Sequence, residues 1–168
     1  MFKVPSGVGM LGAIAALGLL MIDFNGAPLV ATAQASPAKR LLGAWSGRGT
    51  ARFEGDRSER IRCNAYYTGT AEKLNIAVRC ASPSYKIEIR SKLENRAGRL
   101  SGTWEERTFN ASGETKGSID DQSLRLSING GGLQASMAVD FDDQKQQIKV
   151  RADGSTLKSV AVNLARAE

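Results

Sequence analysis

Residues 61–81 read IRCNAYYTGTAEKLNIAVRCA: two apolar alternations flank a polar turn, and the only two cysteines of the chain sit inside them. Successive side chains of a strand point to opposite faces, so Ile61, Cys63, Ala65 and Tyr67 share one face of a first strand, and Leu74, Ile76, Val78 and Cys80 one face of a second. Folding the two about the TGTAEK turn so that Tyr67 faces Ile76 sets Ala65 against Val78 and Cys63 against Cys80. Directly opposed residues of an antiparallel pair have Cα atoms roughly 4.5–5.5 Å apart, within reach of a disulfide. The stretch therefore predicts a hairpin stapled by a Cys63–Cys80 bond.

The same period continues on both sides. In LLGAWSGRGTARF, residues 41–53, Trp45, Gly47, Gly49, Ala51 and Phe53 share a face, with Ser46, Arg48, Thr50 and Arg52 on the other. A turn over residues 55–58 leads into the Cys63 strand, and the expected register puts Ala51 opposite Cys63 and Arg52 beside Arg62. Downstream come Tyr85, Ile87, Ile89, Ser91 and Leu93, then Leu100, Gly102 and Trp104, then further runs led by Thr115, Leu124, Leu133, Ile148 and Val160, separated by Asp-, Asn- and Gly-rich turns. These predict an all-β chain of about eight to nine short strands, and no helical period competes. Such strands must leave an apolar face and two edges exposed unless the sheet closes, so a closed antiparallel up-and-down barrel is expected, with a β-sandwich as the alternative. Inward glycines Gly47, Gly49, Gly102 and Gly117 suit a strongly coiled sheet, where backbone approaches backbone.

The N-terminal 35 residues are of another kind. Lys3, an apolar run over residues 8–22 and a closing Ala33-Gln34-Ala35 read as a secretory signal peptide cleaved after Ala35. The run of about 15 residues falls short of the roughly 20 that a spanning helix needs, so no transmembrane anchor is expected after cleavage. Export to the periplasm or beyond fits a paired cysteine use. Residues 36–40, SPAKR, are expected to form a flexible lead, and residues 41–168 a single barrel domain.

Gly43-Ala44-Trp45 at the start of the first strand resembles the Gly-x-Trp signature of lipocalins and the wider calycin group, in which the tryptophan packs across the closed end of the barrel. A second copy stands at Gly102-Thr103-Trp104. The run from Gly43 to Gly49 also resembles the opening of the nitrobindin-like haem barrels, which ligate iron through histidine; this chain contains no histidine, so haem is disfavoured and no cofactor is expected. The Gly-x-Trp start, small exported barrel and single disulfide are similar in architecture to bacterial periplasmic metalloprotease inhibitors. Taken together, GxWSGxG, IRC, LNIAVRCAS and SGTWEE most resemble a family of small exported bacterial proteins, a resemblance that implies no specific function.

Charge is uneven. Residues 36–100 carry fourteen Lys or Arg against six Asp or Glu, and residues 101–168 eight against ten. The excess predicts a basic face of Arg48, Arg52, Arg62 and Arg79 that attracts an anionic envelope surface or protein, while an envelope location argues against nucleic acid. Chemistry has few candidates: with no histidine and both cysteines bonded, neither a metal site nor a nucleophile–base pair is legible. Glu105 and Glu106 alternate across a strand, and Asp142 and Asp143 fall in a turn, so neither pair makes an acid–base couple. The chain reads as a non-enzyme. Its inward set mixes few large groups with many small ones, which points to a small apolar or amphipathic ligand, with Trp45, Tyr67, Tyr85, Trp104 and Met137 as candidate contacts. The alternatives are a protein-binding module, such as an envelope protease inhibitor, and a structural envelope protein with a filled core.

Overall fold

The computed structural model describes residues 36–108 and 110–167; the expected signal peptide, residues 1–35, lies outside the described residues. A short helix, α1 (Pro37–Leu41), precedes ten strands: β1 (Gly43–Phe53), β2 (Ser58–Gly69), β3 (Lys73–Ala81), β4 (Lys86–Arg96), β5 (Arg99–Glu106), β6 (Ala111–Ile119), β7 (Ser123–Gly130), β8 (Leu133–Phe141), β9 (Lys145–Asp153) and β10 (Leu157–Arg166). Each strand pairs antiparallel with the next, and β1 pairs with β10 to close the barrel. Every apolar alternation in the sequence forms its own strand, which makes the count ten rather than eight or nine. Closure leaves no edge and excludes the sandwich. Among the described residues no helix is long and apolar enough to cross a membrane.

The deciding hairpin has the expected register. Tyr67 faces Ile76, Ala65 faces Val78, and Cys63 faces Cys80. The two cysteines are bonded, with Cα atoms 4.1 Å apart. Its turn lacks an Asn-Gly pair; instead the Thr70 hydroxyl accepts from the backbone N–H groups of Glu72 and Lys73, both at 3.2 Å.

The register between the first two strands corrects the sequence reading. Cys63 lies opposite Gly47, Ala51 opposite Glu59, and Arg62 beside Arg48 rather than Arg52. The cause is a tighter turn: Gly55 and Asp56 both adopt positive φ, 73° and 56°, and the Phe53 N–H donates to the Arg57 carbonyl at 2.8 Å. Ser58, expected in the turn, thereby begins β2.

Inward glycines let the sheet coil. A Cβ at Gly47 would collide with the carbonyl oxygen of Asn163 on β10, and one at Gly117 with that of Arg125 on β7.

The core is concentrated at the end of the barrel where β1 starts. The expected flexible lead is there the helix α1, whose Ala38 and Leu41 are fully buried. Pro37 presets the first helical φ, and the apolar spacing of Ala38 and Leu41 lets one side of a single turn seat on the barrel end. Trp45 is buried beneath it and donates its indole N–H to the Leu41 carbonyl at 2.8 Å. Arg166, at the end of β10, holds this arrangement from outside. Its guanidinium lies 4.2 Å from the Trp45 ring centroid and donates to the carbonyls of Arg40 and Leu42, both at 2.7 Å, and of Asp143 at 2.8 Å. The Arg40 and Leu42 carbonyls are among those that the end of a helix leaves without partners. Arg40 adds a bond to Asp143 at 2.9 Å and one to the Asp121 carbonyl at 2.8 Å.

Candidate functional site

At the opposite end, where β1 gives way to β2, the barrel is hollow. A cavity of about 360 Å³ opens between the strands, walled by side chains of all ten, most of them aliphatic, among them Ile61, Ile76, Ile89, Ile128, Val150 and Val162. Alternation puts these residues inside; a surplus of small ones beside them, such as Ala51, Ala135 and Ala152, leaves the space unfilled. The disulfide is part of the wall. Gly131, Gly132 and Gly154, in the turns of the open end, line the rim without side chains to cover it.

The candidate contacts divide between the two ends. Tyr85, Trp104 and Met137 line the cavity. Trp104 donates its indole N–H to the Asn129 carbonyl at 3.1 Å, which orients the ring in the wall. Trp45 and Tyr67 do not line it; they belong to the plug, because β1 and β2 carry them to the closed end. Tyr67 donates its hydroxyl to the Gln146 side-chain oxygen at 2.8 Å, and burial pushes its phenol above the ordinary value, so it stays protonated.

Two polar groups of the wall, Ser91 on the inward face of its alternation and Glu106 of the Glu105-Glu106 pair, are not among the candidate contacts. Ser91 and Glu106 face inward and are buried in the cavity wall. Glu106 shares its parity with Trp104, the one signal that places it inside, and its carboxylate accepts from the Glu88 N–H at 3.2 Å. At the mouth, Phe53 and Tyr85 stack with centroids 4.9 Å apart, and the Arg57 guanidinium sits 4.5 Å from the Phe53 centroid. Glu59 ties two loops together there. The Ser82 hydroxyl donates to it at 2.5 Å, the Ser84 hydroxyl donates to its other oxygen, and Arg57 lies 3.4 Å away. Ser82 first, then Ser84, hold its carboxyl below the usual carboxylate range.

That depression has a sign. A carboxyl whose folded value is lowered contributes its full stabilisation above the ordinary carboxylate value and loses it as pH falls through the folded one. The loop over residues 82–85 is therefore expected to lose protection from hydrogen exchange, taken against the intrinsic rate at each pH, on acidification through that range, with Glu59→Gln already poorly protected at neutral pH. A loop equally protected in both proteins at every pH would remove Glu59 from this role.

Among the described residues no three His, Cys, Asp or Glu side chains gather as a metal site requires. Glu105 is exposed while Glu106 is buried, and the Asp142 carboxylate is engaged by the N–H groups of Gln144 and Lys145, both at 2.7 Å.

No protein-family model matches the sequence, and no curated protein matches it. Solved structures do share the fold. Rv2717c from M. tuberculosis is similar with a TM-score of 0.61 at 18% identity, over 80% of this chain and 100% of that one. The S-type phycobiliprotein lyase CPES from Guillardia theta is similar with a TM-score of 0.58 at 10% identity, over 78% and 90%. The likeness is one of fold. Together with closure of the ten strands, it fits the calycin-like barrel that the Gly-x-Trp resemblance implies. Trp45 itself packs across the closed end, beneath α1.

Proposed function

We propose that this protein is an exported, non-catalytic binding protein that holds one small apolar or amphipathic molecule in its barrel. The supporting observation is the cavity. Its volume of about 360 Å³ lies within the range of small-molecule sites, roughly 300–1,000 Å³, and its wall is apolar with a few inward polar groups, Ser91 and Glu106 among them. A filled barrel would have no such space. The disulfide is consistent with an oxidising compartment, and the phycobiliprotein lyase of the same fold is consistent with a barrel that takes a ligand. A protease-inhibiting lead is disfavoured, because Ala38 and Leu41 are committed to the plug and an inserting arm would have to surrender both.

The test is native mass spectrometry of protein purified from the envelope, followed by titration of delipidated protein with a panel of lipids while tryptophan emission is followed. Trp104 is in the cavity wall and Trp45 in the plug. A bound mass is expected, and the emission change should persist in Trp45→Phe and vanish in Trp104→Phe. Filling the space with Ala135→Phe should weaken binding at least tenfold. Protein that carries no adduct and whose emission ignores every lipid would overturn the reading.

A further inference from the structure

Closure of the barrel brings strands from the two ends of the chain side by side, and their outer faces form one basic surface. On β1, Arg48 lies opposite Arg62 of β2 and Asn163 of β10. One row on, Thr50 lies opposite Arg60 and Ala161, and Ala161 opposite Lys149 of β9. In the next row, Arg52 lies opposite Ser58 and Ser159, and Ser159 opposite Arg151. All six cations, Arg48, Arg52, Arg60, Arg62, Lys149 and Arg151, are exposed. None forms an ion pair or side-chain hydrogen bond with a described residue. Between the rims these four strands present no outward Asp or Glu; the neighbouring acids stand at the rims, Asp142 and Asp143 in the turn before β9 at the closed end, and at the open end Asp153, which ends β9, and Glu54, 3.4 Å from Lys158.

The remaining wall is built differently. There Arg79 and Arg90 both meet Glu88, at 3.3 and 2.7 Å, Arg96 meets Glu94 at 2.9 Å, and Arg125 meets Asp140 at 2.5 Å. Arg79, expected on the basic face, is thus neutralised, while Lys149 and Arg151 from the more acidic half of the chain complete it. Arg48 directly opposite Arg62 opposes folding through like-charge repulsion, which a bound polyanion relieves.

We propose that the β9–β10–β1–β2 wall is a docking surface for an anionic lipid bilayer. With strands about 4.8 Å apart and alternate residues about 7 Å apart, the six cations spread over a field roughly 15 Å on a side, which suits many headgroups rather than one. Its floor of Thr50, Ser159 and Ala161 offers no apolar anchor of the kind that dominates protein interfaces and no aromatic platform for bases. The one exposed large hydrophobic side chain among the described residues, Tyr66, stands on β2 beside this field, and tyrosine favours the headgroup level. The proposal does not depend on what the cavity holds.

Sedimentation of the purified protein with vesicles of phosphatidylglycerol and phosphatidylcholine, against phosphatidylcholine alone, tests it. Binding is expected to the anionic vesicles only and to weaken with salt. The triple variant Arg48→Gln, Arg60→Gln, Arg62→Gln should lose about 100-fold in affinity, near fivefold per cation, while the matching Arg→Lys triple should bind as the parent does. Removing three cations of the opposite wall with Arg96→Gln, Lys116→Gln and Arg125→Gln should change binding little, since they lie beyond the screening length. Three results would each overturn the proposal: no binding to anionic vesicles, equal losses in the two glutamine triples, or stronger binding to an acidic protein or duplex DNA than to vesicles of equal charge.

Discussion

Trp45→Ala is expected to lower the unfolding free energy by about 3–5 kcal/mol, the range for removing a large buried aromatic side chain from a close-packed site. The ring is the floor on which α1 rests, and its N–H satisfies the Leu41 carbonyl. Arg166 lies over its other side while holding the carbonyls of Arg40 and Leu42. Removing the indole leaves a void beneath the helix, one unpaired carbonyl and a guanidinium without its aromatic partner. The surroundings can collapse little, because the barrel ring around the plug is continuous. Trp104→Ala provides the comparison. That ring borders a cavity already present, so its loss enlarges existing space rather than creating a void in packed core, and a smaller cost is expected. Denaturant unfolding of the two variants measures the difference. Equal midpoint shifts would mean that the two ends of the barrel are packed alike.

Replacing Cys63 and Cys80 together by serine is expected to cost about 2–5 kcal/mol. The bond joins β2 to β3 across a sequence separation of 17, which restricts the unfolded chain, and serine would put two hydroxyls into an apolar wall. Register makes the bond matter further. A slip of one residue would turn Ile61, Ala65, Tyr67, Ile76 and Val78 outward, and only Thr70 and its neighbours in the turn oppose it locally. Closure through β1 and β10 supplies a second constraint, so the double variant should still form the barrel, with lower stability. Because both cysteines line the cavity, affinity for the small molecule proposed to occupy it should fall as well. Thiol labelling of denatured, unreduced protein checks the bond itself; two reactive thiols would disprove it. A double variant as stable as the parent would leave the bond without a structural role.

Much of this was legible in the residues because a strand's period is two. Alternation alone assigns inside and outside, and it placed Tyr85, Trp104 and Met137 in the barrel and Arg48, Arg52 and Arg62 outside it. The cysteine pair set the register of β2 on β3 because a covalent bond between two strands admits one alignment. Other features depended on distances along the chain that no local pattern carries. The β1–β2 register turned on two positive φ angles at Gly55 and Asp56, so Arg62 met Arg48 instead of Arg52. Residues 36–40 are polar enough to suggest a loose lead, yet a barrel end with an open apolar core gave Ala38 and Leu41 somewhere to be buried. Period two also says which residues face inward but not how far along the axis each stands. Trp45 and Trp104 share a Gly-x-Trp motif and an inward direction; strand polarity and stagger put one in the plug and the other in the cavity wall. The basic surface had the same origin. Lys149 and Arg151 are remote from Arg48 in the chain, and only the pairing of the last strand with the first sets them on one face.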